Sequence, residues 1–69
     1  MTNQEERKFR IGAIFEAVPK KETLKRKFIA KMMIDWGFAR RTVLEYLNCL
    51  IDADKIAENQ EGTQIWREK

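Results

Sequence analysis

Arg40 and Arg41 open the segment Arg40–Asp52, directly after Gly37-Phe38-Ala39. Guanidinium groups at a helix tip can pair bidentately with guanine O6 and N7, or clamp phosphate oxygens. Two solubilising arginines are the plainer explanation. The helix dipole disfavours cations at that end, however, which argues for an anion supplied from outside. Thr42 suits a phosphate or a thymine methyl, and equally suits packing beside Val43. Glu45 could accept from cytosine N4. Its spacing favours a pair with Arg41, four residues earlier on the same face. Asn48 reaches a base only if the helix lies deep in a groove.

A second set of cations precedes these. Lys20, Lys21, Lys25, Arg26, Lys27 and Lys31 suit phosphate contacts, which position a protein without reading sequence. Residues 25–27 alone span about 200° of a helix, so two or three of the six can face one partner. Residues 20–41 hold eight basic side chains against Glu22 and Asp35, a net +6, while the rest of the chain carries −3. A basic middle on a mildly acidic remainder is an electrostatic footprint for phosphate, although a solvated helix face explains such a run equally well. Arg67 and Lys69 follow the last turn and could reach a nucleic-acid backbone.

Other chemistry is poorly provided for. The chain has no histidine and one cysteine, Cys49, so neither an internal disulfide nor a zinc site is expected. Asp52 and Asp54, with Glu58 after them, form a close carboxylate group, and a turn is the simpler use for it. Phosphate-loop and dinucleotide motifs are absent. No enzyme activity, cofactor or small-molecule ligand is expected. Phe28, Trp36, Phe38, Tyr46 and Trp66 have helical spacing and apolar neighbours, which favours core packing over base stacking. Met32 and Met33 read as core or partner-surface residues, and Cys49 as a packing residue at a helix edge.

The elements that must hold these residues follow from periodicity. Residues 4–18 read as a helix on Ile11, Ile14, Phe15 and Val18, with Asn3 as its cap and Pro19 as its stop. Gly12 weakens this helix and suits the close approach of a neighbour. Residues 20–23 form a basic connection, and Thr23 caps a second helix over 24–36. Its broad apolar face carries Phe28, Ile29, Met32, Met33 and Trp36. Gly37 is placed to end that helix in the left-handed conformation. A third helix over 39–53 has Val43, Tyr46, Leu47, Leu50 and Ile51 as its buried stripe, with Arg41, Glu45, Asn48 and Asp52 facing outward. Residues 55–67 read as a hairpin with Ile56 and Ile65 turned to the core. A chain of 69 residues with 43% apolar and 36% charged residues makes one domain over 1–69, mainly α with a small β-hairpin.

Three helices followed by a hairpin is the order of a winged helix-turn-helix, and the chain resembles that DNA-binding family at the residue level. The resemblance rests on Gly37, Phe38, Ala39, Arg40, Arg41, Thr42, Val43, Leu47 and Leu50, with Ile29-Ala30 beneath them and Lys55-Ile56 leading into the wing. It covers residues 10–68 and is most like short regulators of archaea, their plasmids and their viruses. It implies a third helix that enters the major groove. Two departures stand out. Ala39 replaces the usual Ser or Thr cap, which leaves an orphan N–H for water or phosphate. The wing tip Asn59-Gln60-Glu61-Gly62-Thr63-Gln64 carries no Lys or Arg.

The resulting expectation is a transcription regulator that binds duplex DNA, works as a homodimer on a two-fold site and dimerises through the first helix near Phe9 and Ile11. The alternative is a protein-interaction module of the same fold within a larger complex. No membrane-spanning run is present, and a soluble cytoplasmic location is expected, nucleoid-associated or in a host if viral.

Overall fold

The computed structural model describes residues 3–68, with Asn3 by its backbone alone, so the expected Asn3 cap and Lys69 lie outside the described groups. The elements run α1 (Asn3–Ala17), β1 (Thr23–Leu24), α2 (Lys25–Trp36), α3 (Arg40–Asp52), β2 (Ile56–Glu58) and β3 (Gln64–Arg67). The protein is mainly helical with a small antiparallel sheet of order β1-β3-β2, a layout compatible with a winged helix-turn-helix.

One apolar cluster joins every layer. Ile14 and Val18 come from α1 and its end, and Phe28, Ile29 and Met32 from α2. Val43, Tyr46, Leu47 and Leu50 come from α3, and Ile56 and Ile65 from the sheet. The periodic stripes of α1 and α3 therefore meet as their spacing requires, with Ile11, Phe15 and Ile51 half-buried at the rim. Among the described residues no helix is long and apolar enough to cross a membrane.

The hairpin acquires a third strand. Thr23 does not cap α2; it pairs with Ile65, and Leu24 pairs with Gln64. The Thr23 hydroxyl donates to Lys21 O at 3.0 Å. Leu24 occupies the cap position in an extended conformation and offers no side-chain acceptor. The Lys25 N–H goes instead to Thr63 O, 2.8 Å away in the wing turn. A two-residue strand has no local periodicity, and its partner lies about 40 residues on, so only the assembled sheet defines it.

The apolar face of α2 is narrower than its spacing predicts. Met33 is 37% and Trp36 49% exposed, because the core meets the first turns of the helix. Trp36 stacks instead on Phe38, with centroids 6.0 Å apart and rings 15° from parallel. Phe38 meets Tyr46 edge-on at 6.4 Å. Gly12 admits no close neighbour: nothing lies within 4 Å of where its Cβ would stand. Cys49 is exposed rather than packed at the edge of α3.

Both helices of the α2–α3 unit close through left-handed residues. Gly37 (φ 71°, ψ 18°) ends α2, its N–H donating to Met33 O at 3.0 Å. Asp54 (φ 60°) ends α3 in a Schellman turn, with Lys55 N–H on Leu50 O at 2.9 Å and Asp54 N–H on Ile51 O at 3.0 Å. That turn delivers Ile56 to the core, and it is the use the structure makes of the carboxylate group after α3.

Candidate nucleic-acid interface

The first turns of α2 and α3 converge beside the wing turn. Together they frame an open concavity lined by Leu24, Lys25, Arg26, Ile29, Arg40, Leu44, Gly62 and Thr63. Arg26 and Arg40, from different helices, thus share one surface. Arg40 stands on the flank of α3 that turns toward α2 and the wing. Arg41, one residue on, projects about 100° further round the helix, onto the outward face. Ala39 supplies no side-chain oxygen to the first turn of α3.

The remaining cations separate by partner. Lys25 Nζ lies 2.6 Å from Glu58 Oε2, with both side chains largely buried, so this lysine ties α2 to β2. Lys31 pairs with Asp35 at 3.0 Å along α2. Arg67 belongs to the packing of α1: its guanidinium lies 5.4 Å over the Phe15 ring and 3.8 Å from Glu16 Oε2, and its Nε is buried without a hydrogen-bond partner. The Arg67 N–H also donates to Pro19 O at 2.8 Å, at the end of β3 remote from the wing tip. Arg67 is therefore engaged on the α1 side and does not line the concavity. Among the described residues Lys20, Lys21, Arg26, Lys27, Arg40 and Arg41 have no side-chain ion pair or hydrogen bond.

The outward face of α3 also differs from its spacing. Glu45 pairs with Arg7 of α1, Nη2 to Oε1 at 2.6 Å, and not with Arg41. The Arg7 guanidinium lies 6.0 Å from the Tyr46 ring centroid as well, so the α1–α3 packing brings it alongside Glu45. Thr42 is half-buried and about 200° round the helix from Arg40, outside the concavity. Asn48 is exposed, one turn beyond Leu44. Leu44 is the residue sequence reasoning missed. Its signal was present: it stands four residues after Arg40 on the same flank, an apolar side chain beside the buried stripe rather than in it.

The wing is a compact turn. Asn59 Oδ1 accepts the N–H groups of Thr63 (2.8 Å) and Gln64 (2.9 Å), and Asn59 Nδ2 donates to Thr63 Oγ1 at 2.9 Å. Gly62 (φ 73°) donates its N–H to Asn59 O at 2.9 Å, the pattern of a tight hairpin turn with a left-handed glycine. Gln60 and Glu61 are exposed at the tip, which remains without a cation. Among the described residues no group of His, Cys, Asp and Glu gathers into a metal-ligand set.

Taken together, fold and surface define a small, mainly helical domain of winged layout with an open concavity that carries Arg26 and Arg40. No family model, curated protein or solved structure matches this chain.

Proposed function

We propose that this protein binds duplex DNA as a transcription regulator of the winged helix-turn-helix type, with α3 in the major groove. One observation carries the reading: among the described residues carboxylates pair with Arg7, Arg10, Lys25, Lys31 and Arg67, while the six cations left unpaired in residues 20–41 include Arg26 and Arg40, which line one concavity. Unpaired guanidinium groups at two converging helix starts suit phosphate oxygens. Arg41 suits a base edge, and the uncharged groove flank made by Leu44 and Asn48 suits close approach to DNA. The acidic wing tip assigns the wing a bracing role rather than insertion.

Binding measured by fluorescence anisotropy on random-sequence duplex, across a salt series, tests this. Three or four phosphate contacts give a slope of log K against log salt of about −3. The Arg26→Ala/Arg40→Ala variant should flatten that slope by about 2. Absence of wild-type binding at low salt overturns the proposal. The second reading, a protein-interaction module, is favoured by Phe9, Ile34 and Trp36, which are 70%, 81% and 49% exposed. An apolar interface of that kind would hold its affinity as salt rises.

A further inference from the structure

Glu45 stands in the middle of the face that α3 would present to a groove, yet a residue of another helix holds it. On the reading of α3 as a DNA reader, we infer that Arg7 is a specificity-positioning residue: by taking Glu45 it removes cytosine from the bases α3 can read, and leaves Arg41, Leu44 and Asn48 to select a site combining a G·C pair with an A·T pair.

A free glutamate on a recognition helix accepts from cytosine N4 and repels phosphate. In this protein the Glu45 carboxylate already accepts from the Arg7 guanidinium at 2.6 Å. Both side chains are 53% exposed, so the pair adds little to stability and can be removed without unfolding the protein. Arg7 is held in turn by its position over the Tyr46 ring. The charge of Glu45 is then offset by Arg7 at one of its oxygens, and with Asp52 set apart in the last turn of α3 the strip that remains has three members. Arg41 suits guanine O6 and N7. Leu44, half-buried at the edge of the core, can offer methyl groups to a thymine methyl. Asn48, exposed and without a partner among the described residues, suits adenine N6 and N7. Arg41 and Asn48 are seven residues apart, about 10 Å along the helix. A helix lying in the groove meets successive base pairs roughly every three to four residues, so the guanine and adenine columns should lie about two pairs apart.

Selection from a randomised duplex library decides the matter, run with wild type, Arg7→Ala, Glu45→Gln and Asn48→Ala, each melted beforehand to confirm folding. The wild type should select one guanine and one A·T column at that spacing. Asn48→Ala should lose the adenine column, with about ten-fold weaker binding to the wild-type site. Arg7→Ala should gain a cytosine preference at a new column, whereas Glu45→Gln, whose amide no longer holds an ion pair with Arg7 and suits adenine N6 and N7, should gain adenine at that column instead. Identical motifs for wild type and Arg7→Ala, or for wild type and Asn48→Ala, overturn the inference. Wild-type binding that is salt-dependent but selects no motif overturns it while leaving DNA binding standing. No binding at any salt removes both.

Discussion

Gly12 and Gly37 show how one residue type does opposite work at two positions. Gly12 sits in the middle of α1 with open space around it, so it costs helix stability and provides no close contact in return. Gly12→Ala should stabilise the fold by about 0.5–1 kcal/mol, seen as a higher Tm in a calorimetric melt. Gly37 has equally open space, but its φ of 71° is a conformation that a Cβ opposes. Gly37→Ala should destabilise by about 1–2 kcal/mol in the same measurement. The two alanines thus separate backbone conformation from steric room. Leu44 carries a comparable lesson for recognition. Its apolar side chain invites a core assignment, and only its place beside Arg40 and Arg26 makes it part of the exposed concavity.

At the scale of elements, the wing acts as a brace. Lys25 contributes both its N–H to Thr63 and its ammonium to Glu58, so the start of α2 is stitched to the turn and to β2. Asn59 closes that turn with three side-chain hydrogen bonds. Asn59→Ala should lower stability by about 1–2 kcal/mol, read as a lower urea midpoint at unchanged slope. A lower slope instead would mean that the sheet unfolds separately from the helices. Because the turn contributes Gly62 and Thr63 to the basic concavity, the same variant should also weaken DNA binding on the proposed function.

Across the whole molecule, charge and exposed apolar surface are distributed unevenly. Among the described residues six of the eight unpaired cations fall in residues 20–41, with Arg26 and Arg40 at the first turns of α2 and α3, while Phe9 stands on α1 with Lys8, Gly12, Ala13 and Glu16 around it. This supports the proposal of a homodimer that uses α1 and leaves α3 free. Ile11, half-buried against the core, is less available for it than Phe9. Light scattering at micromolar concentration should give twice the chain mass, and Phe9→Ser should return it to one chain. A wild-type mass of one chain rejects the dimer and shortens the expected DNA site to a single half.

What the chain determined on its own was everything that depends on neighbours in sequence. The helical stripes of α1 and α3, Pro19 as a stop, Gly37 as a left-handed end, Ile56 and Ile65 turned inward and the basic middle all arise from spacing and local conformation. The tertiary structure decided which charges remain free. Arg41 is the nearest cation to Glu45 in sequence, but the packing of α1 on α3 brings Arg7 to it from 38 residues away. Likewise β1 exists because β3 lies beside it, and Arg67 is engaged on the α1 side because Phe15 and Glu16 are at hand. Ion pairs and strand pairings depend on distances of a few ångströms between remote segments, and only the closed fold sets those distances.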